Sequence, residues 1–572
     1  MKKGKRHIGY KTILKTANLL LVVSLTAGVY YRMTGHSFTV GKEPAENVQT
    51  AGEGERKEDA PEKQKKNAVK KKLDGNSNPS YMVYYGALDE EIIELAKCYD
   101  VVIIHPKGGN ITRDQVAEIQ EAGVCVLGYL SIGEDLRTAG LTPEQMRSDG
   151  RFTGDKTGPR VDAREPDAKG LDSAKLLGKE SPGGGGFASY YLDDNDFDGV
   201  PDFNPNFGCA YTNIGDPAWY EVLEDMRFDG IDNTPGIREI LTESYGRGLG
   251  CDGLFLDTVD TCAPNIYTAD DDPSRTRFEW TAPGMLEFAK RLKEDYPDKY
   301  VLQNRGLFFY NYALPHFDYM PGEYIDFLLF ESFMLDSAGG YLYHEGYFHD
   351  NKNVYTPKII AEANRPGGFR VLSLGYAEGP EEYRLKETLL GSSTVGLDIL
   401  LEDMRQAEDN SGYSHYITDG AVLMVNDFVL SHREEDLEPP AWSTVHNNVI
   451  EQTPVPRIGI GSAEETKDGV LVSWDVAIDK SGVTYTLYYQ KEPFDFEADS
   501  DLEGAMQLKL VPERGEGYGY QATEDTWPYQ AVITDLDAGE TYYFVIRAKD
   551  HAPAENEEKN RVVLSCTAGG TP

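Results

Sequence analysis

The sequence predicts an α/β protein, a TIM-like (β/α)8 barrel followed by a small all-β sandwich. Three observations carry this expectation. From residue 81 onward, short apolar runs alternate with amphipathic stretches of helical period, the pattern of parallel βαβ units. After Pro439-Pro440 the texture changes to runs that alternate apolar and polar residues, as half-buried antiparallel strands do. The chain's 572 residues, 40% hydrophobic and 11% aromatic, are enough for two or three folded units.

At the N-terminus, Lys2, Lys3, Lys5, Arg6, Lys11 and Lys15 precede an apolar run over residues 17–31. A basic flank before an apolar segment is an export signal with its basic end kept in the cytoplasm. Leu25 stands where a cleavage site needs a small residue, so residues 1–35 are expected to remain as a membrane anchor with the bulk of the chain outside the cell. A cleaved signal and a secreted protein are the alternative. Residues 36–78 are rich in Glu, Lys, Gln, Asn and Gly, with too little apolar surface to offset chain entropy, which predicts a disordered stalk.

The barrel is expected over residues 79–435. Its apolar runs are 81–85, 101–104, 124–130, 254–256, 300–302, 327–330 and 371–374, and 397–401 competes with 421–425 for the eighth. Helical stretches lie between them at 90–99, 112–122, 237–248, 283–296 and 380–390. The connection after the third strand is very long and includes an insertion at about 138–208, a size that is usually functional or separately stabilised. A linker over 436–456 leads to the sandwich over 457–572.

Net charge is −40. Residues 1–78 hold 16 Lys/Arg against 8 Asp/Glu, so the remainder carries 40 against 88. So acidic a surface excludes nucleic-acid backbones, which are bound by positive patches. It suits divalent cations, a cationic ligand or plain solubility. The six cysteines show no CxxC spacing, so zinc is not expected. Export would permit disulfides, and Cys251 and Cys262 are the pair nearest in sequence; buried free thiols are the alternative.

Two apolar runs end in an acid. Gly253-Leu-Phe-Leu-Asp257 is followed by Thr-Val-Asp260, and Phe327-Leu-Leu-Phe-Glu331 ends in glutamate. Asp is a poor strand residue, and a carboxylate in an apolar rim must be paired or functional. Strand ends form the pocket of a parallel barrel. Glycosidic bond cleavage needs one carboxyl as general acid and a second acting at the sugar carbon. Asp257 and Glu331 are therefore the candidate catalytic pair. Glu134 at the end of the third strand is a competing catalytic candidate. Tyr85, Tyr129 and Tyr376 lie near strand ends as candidate sugar platforms, with core packing as the alternative. His105 ends the second strand and is read as a satisfied rim histidine.

Tyr129-Leu-Ser-Ile-Gly-Glu134, Cys251-Asp-Gly-Leu-Phe-Leu-Asp257-Thr-Val-Asp260, Gln303-Asn304, the Glu331 strand and Asn213-Ile-Gly-Asp216-Pro-Ala-Trp219 together resemble glycoside hydrolase family 114. That family contains endo-α-1,4-polygalactosaminidases and the hydrolase domain of Pel-polysaccharide enzymes. The resemblance spans about residues 80–430. It implies a retaining endo-hydrolase of an amino-sugar exopolysaccharide in biofilm matrix, with Asp257 as nucleophile and Glu331 as acid/base. Glu134, Asp260 and Asn304 would line the subsites. A partly deacetylated galactosamine polymer is cationic, in keeping with the acidic chain. A non-catalytic polysaccharide-binding or biofilm-assembly protein on the same barrel is the rival. The C-terminal stretch Leu536-Asp-Ala-Gly-Glu-Thr-Tyr542, with Trp474 in Val472-Ser-Trp474, is similar to the tyrosine corner and core tryptophan of fibronectin type III domains. That likeness implies a sandwich that spaces or contacts a polysaccharide or protein.

Within the insertion, Asp194-Asn-Asp196-Phe-Asp198-Gly199-Val200-Pro-Asp202 places oxygens at positions one, three, five and nine, with Gly at six. Alternate side chains that point inward around a glycine turn can wrap a hard cation. The expectation is a structural Ca2+ held by Asp194, Asp196, Asp198, the Val200 carbonyl and Asp202, with a solvated acidic turn as the alternative. Pro205 departs from the EF-hand pattern, which has a bidentate Glu at position twelve. No organic cofactor is expected.

Overall fold

A computed structural model describes Leu73 and residues 78–107, 111–154, 159–160, 179–180, 186–193, 199–228, 232–263, 278–311, 321–336, 340–341, 346–376, 394–432, 435–443, 456–497, 502–519, 523 and 525–570. Eight strands, β1 (Tyr81–Tyr84), β2 (Val101–Ile104), β3 (Cys125–Ser131), β4 (Gly253–Asp257), β5 (Tyr300–Asn304), β6 (Phe327–Glu331), β7 (Arg370–Tyr376) and β8 (Ser414–Thr418), form one sheet in sequential order. Every adjacent pair in the sheet is parallel. The sheet curls into a nearly closed barrel: the Tyr85 N–H bonds the Val422 carbonyl at 2.8 Å, and the Tyr81 and Tyr416 rings lie 5.5 Å apart across the seam. The strands are buried along almost their whole length, as expected when helices cover a parallel sheet.

Local chemistry explains the helices around it. In α1 (Glu90–Ala96), Asp89 caps by accepting the Ile92 N–H. In α2 (Arg113–Glu121), Thr112 and Gln115 form a reciprocal capping box. In α3 (Pro217–Asp225), Asp216 accepts the Ala218 N–H and Pro217 opens the first turn. The helical stretch read at 237–248 contracts to α4 (Ile237–Leu241), because the Glu239 and Ile240 carbonyls accept instead from Leu249 and Cys251 in the returning loop. The helix α5 (Ala282–Asp295) forms as expected, and α6 (Thr356–Ala363) and α7 (Thr394–Ser411) complete this set. The stretch 380–390 lies outside the described residues.

Neither candidate for the eighth strand is the strand. Residues 397–401 belong to α7, and 421–425 form a turn in which Val422 adopts φ 54°. The strand is Ser-His-Tyr-Ile-Thr, polar in sequence yet buried throughout. Its polar groups find partners inside: His415 Nε2 lies 2.6 Å from Asp403 on α7, His415 Nδ1 lies 3.1 Å from Ser373 Oγ, and Thr418 donates to the Met424 carbonyl. Buried polar groups so partnered lose little on burial, and hydropathy cannot register them.

The expectation of a membrane anchor is corrected. No helix among the described residues is long and apolar enough to cross a membrane. Such a helix needs about 20 consecutive apolar residues. The longest one described, α7, has 18 residues and carries Asp398, Glu402, Asp403, Arg405, Glu408 and Asp409. Residues 17–31, on which the anchor and the membrane location rested, lie outside the described residues, and both readings are withdrawn. Leu73, within the stretch read as a stalk, is buried, and its carbonyl accepts from Arg370 at 2.6 Å. All six cysteines are free thiols, Cys251 and Cys262 both buried.

The C-terminal strands β9 (Ile460–Thr466), β10 (Gly469–Trp474), β11 (Val483–Gln490), β12 (Met506–Leu510), β13 (Glu513–Arg514), β14 (Tyr529–Ile533), β15 (Thr541–Asp550) and β16 (Leu564–Thr567) make two antiparallel sheets. Their orders are β9-β10-β14-β13 and β12-β11-β15-β16. Trp474 is fully buried against Tyr485 and Tyr529, and the Tyr542 hydroxyl accepts the Asp537 N–H at 3.1 Å, making the expected corner. This sandwich meets the barrel at the end from which the strands start. Asn78, just before β1, donates to the Lys480 carbonyl, Lys480 pairs with Asp409, and Tyr529 reaches the Ile360 carbonyl.

Trp219 ties α3 to the barrel: its ring is fully buried and Nε1 donates to the Ile132 carbonyl just past β3 at 2.7 Å. Trp219→Ala should lower the urea-denaturation stability by about 3–5 kcal/mol through the cavity it leaves. Trp219→Phe should lower it by less, about 1–3 kcal/mol, through the lost bond and a smaller void, because Thr212 still donates to the same carbonyl. Equal losses in the two variants would refute this division.

Candidate active site

The rim where the strands end gathers the acids. Asp257 ends β4, Asn304 ends β5 and Glu331 ends β6. The register between β5 and β6 sets Asn304 beside Leu329, two residues short of Glu331. From there, Asn304 Nδ2 donates to Asp257 Oδ1 at 2.8 Å and to Glu331 Oε2 at 2.8 Å. The two carboxyl oxygens therefore lie no farther apart than twice that distance. Each carboxyl has a second donor: Tyr129 from β3 gives its hydroxyl to Asp257 Oδ2 at 2.7 Å, and Tyr376 from β7 gives its hydroxyl to Glu331 Oε1 at 2.6 Å.

The two acids have different surroundings. Glu331 is buried, whereas Asp257 is half-buried. Burial, then the nearby charge of Asp257, pushes the Glu331 carboxyl up to about 7, against the opposing pull of Tyr376, Arg305 and Asn304. A proton on Glu331 removes the like-charge repulsion within the pair.

The backbone around the pair is held by short-range bonds. Thr258 takes φ 63° directly after Asp257, and its hydroxyl accepts from the Gly133 N–H at 2.8 Å. Gly133 has no room for a side chain, because a Cβ there would stand 2.2 Å from the Thr258 carbonyl. Arg305, at φ 59°, donates from Nε to Asp260 at 2.6 Å and from Nη1 to the Glu331 carbonyl. The Gly306 N–H reaches the other Asp260 oxygen at 3.0 Å.

Most sequence candidates meet at this rim, in different ways. Tyr85 contacts Tyr129 edge-on at 5.6 Å, and its hydroxyl is raised first by burial and then by the charges of Asp257 and Glu331. Asp260 is committed to Arg305 and Gly306. Glu134 is buried and accepts from Asn204 at 2.7 Å, on a short strand (Glu134–Asp135) paired with Ala210–Tyr211. It shares a small pocket with His105, Tyr129 and Ser131 and makes no hydrogen bond to either acid of the pair. His105 stacks on Tyr129 at 4.3 Å, and burial, then Lys107, pulls its imidazole down to about 3, so it is neutral at ordinary pH. Arg305 was missed; the available signal was a cation immediately after a strand-end polar residue and before a glycine. Of the acidic loop, Asp194, Asp196 and Asp198 lie outside the described residues. Gly199 has φ 82° and donates to Asp193, while the Asp202 backbone bonds Leu192 and Tyr211; Val200 and Asp202 are both half-buried.

No known family pattern and no curated protein sequence matches this chain. Among solved structures, the glycoside hydrolase domain of PelA from Pseudomonas aeruginosa is 16% identical over 60% of this chain and 97% of that one, with a TM-score of 0.35. Ega3 from Aspergillus fumigatus, solved in complex with galactosamine, is 13% identical over 61% and 95%, with a TM-score of 0.31. These are distant structural similarities, too weak to assign an activity.

The raised carboxyl has a consequence for stability. Its ordinary value is 4.5 and its folded value about 7, so the native state holds this proton more tightly than the unfolded chain. The resulting stabilisation is complete below about pH 4.5 and is lost as pH rises through 7. Glu331→Gln, always neutral, should match the wild type in urea unfolding at pH 4.5. At pH 8 it should exceed the wild type by up to about 3 kcal/mol. A stability difference that does not change with pH would show that Glu331 ionises normally.

Proposed function

We propose that this chain is a retaining glycoside hydrolase that cuts within an amino-sugar polysaccharide of the polygalactosamine type. The observation that carries the reading is the single amide nitrogen of Asn304 bonded to both strand-end carboxyls. Its two 2.8 Å bonds keep the nearest oxygens of Asp257 and Glu331 within twice that distance, which supports the carboxyl separation of about 5–5.5 Å used by retaining enzymes. An inverting enzyme leaves about 6.5–9.5 Å for a water molecule. The motif resemblance to glycoside hydrolase family 114 supports the same two residues.

In the first step an Asp257 carboxylate oxygen attacks the anomeric carbon while the glycosidic C–O bond breaks. Glu331 gives its proton to the departing oxygen. In the second step the Glu331 carboxylate takes a proton from water, whose oxygen attacks the same carbon and releases Asp257. Tyr129 and Asn304 fix the nucleophile, and Tyr376 fixes the acid. Asn304 Oδ1 is buried and has no hydrogen-bond partner among the described residues. It offers an acceptor beside the nucleophile, suited to a hydroxyl or ammonium group on the sugar. The acidic character of the chain (net charge −40) favours a cationic polymer. Glu134 and the aromatic rings of Tyr85 and Tyr129 would line the neighbouring subsites. In the insertion, the loop from Asp194 to Asp202 is proposed, on its spacing, as a structural calcium site.

Incubation with galactosamine oligomers tests the reading by product mass and by NMR of the freshly released anomer. The products should keep the configuration of the bond that was cut. Asp257→Asn should reduce turnover by about 10³-fold or more while oligomer binding persists. Glu331→Gln should lose about 10²–10⁴-fold on natural glycosides, with a smaller loss in the first step on substrates whose leaving group needs no proton. An inverted product, or full activity in Asp257→Asn, would end the assignment.

A further inference from the structure

A second group of acids lies far from the rim, where the chain passes from barrel to sandwich. Asp436 sits in the segment leaving the barrel, Asp479 precedes the turn into β11, and Asp550 ends β15. One oxygen from each lies within 4.8 Å of the others. Their exposures are 8%, 8% and 2%. Three carboxylates this close and this dry repel strongly, and among the described residues none of them makes an ion pair with Lys or Arg. Their hydrogen-bond donors are neutral: Ser481 Oγ–H to Asp436 Oδ2, the Ser481 N–H to Asp479, and the Ala552 and Asn556 N–H groups with Asn556 Nδ2 to Asp550.

A separate observation points to a ligand. Asp436 Oδ1 is buried and, among the described residues, finds no hydrogen-bond donor outside the acidic cluster itself. A buried carboxylate oxygen without a donor is costly, and a cation would satisfy it. The span of the three oxygens is one that a single Ca2+, with ligands at about 2.3–2.6 Å, can bridge. An all-carboxylate set selects a hard cation and offers nothing to thiophilic metals.

We propose that Asp436, Asp479 and Asp550 bind one divalent hard cation of the calcium class, which clamps the segment leaving the barrel to the sandwich. The location fits that role. Between Asp436 and Asp479 the short strand Ala441–Trp442 pairs with Ala477–Ile478 along the sandwich. The Asp479–Gly482 turn packs on the barrel, with the Asp479 carbonyl so close to Gly412 that a Cβ there would lie 2.3 Å away. The cation would pin both ends of this connection. Without it, the cluster keeps a proton: burial and then Asp436 and Asp550 push Asp479 up to about 8.

The test uses the full chain, calcium chloride and EDTA, with bound metal counted by elemental analysis after dialysis. Calcium should raise the Tm of the wild type, by about 2 °C or more at saturating metal. Asp479→Asn and Asp436→Asn should each bind one Ca2+ fewer per chain and lose that part of the Tm rise. In EDTA both variants should melt at or above the wild-type temperature, because repulsion is relieved, which also shows that they fold. Asp196→Ala, in the separate acidic loop, should leave this binding intact. Unchanged calcium stoichiometry in Asp479→Asn would overturn the proposal. So would a wild type indifferent to calcium whose stability instead falls as pH rises through 8, since the cluster would then hold a proton in place of a metal.

Discussion

Two carboxyl groups set close together in a buried rim repel each other if both are charged, and most sequences would respond by moving them apart. Here a planar amide stands between them. Asn304 can donate to both because its nitrogen carries two hydrogens, and it can reach both because β5 lies between β4 and β6 in the sheet. Tyr129 and Tyr376 then fill the outer lone pairs from β3 and β7. The arrangement is five adjacent strand ends contributing one polar group each, which only a continuous parallel ladder can align. Burial of one acid and partial exposure of the other converts this symmetric set of bonds into two unlike groups.

The supports behind that rim are mostly backbone constraints. Thr258 and Arg305 both take left-handed conformations, and each turns the chain immediately after a strand end that places a polar group on the rim. Residues other than glycine adopt such angles at a cost, so the bonds from Gly133 to Thr258 and from Arg305 to Asp260 hold the geometry in place. Asp260 has its carboxylate committed there. The strand β8 applies the same logic away from the site, where a buried His415 beside Asp403 joins strand to helix.

The sandwich contacts the barrel at the opposite end from the rim, around Asn78, Ile360, Asp409 and Gly412. Among the described residues these contacts all lie away from the rim. Its own core is conventional, a buried Trp474 flanked by tyrosines, but its junction concentrates negative charge where a packed interface normally excludes it.

By itself the sequence determined the barrel, seven of its strands, the sandwich and the strand-end positions of Asp257 and Glu331, while Asn304 entered only through the motif resemblance. Continuous apolar runs, alternating runs and strand-end acids are local patterns, and local patterns survive translation into structure. It did not determine β8, whose buried residues are polar and are satisfied by groups distant in sequence. It did not identify Arg305, nor the meeting of Asp436, Asp479 and Asp550, which are separated by 43 and 71 positions in the chain. Only the tertiary structure decided which acid would be raised and which amide would bridge the pair. Proton affinity depends on burial and on charges a few ångströms away, and those distances are set by the register of neighbouring strands, which the chain cannot express one residue at a time.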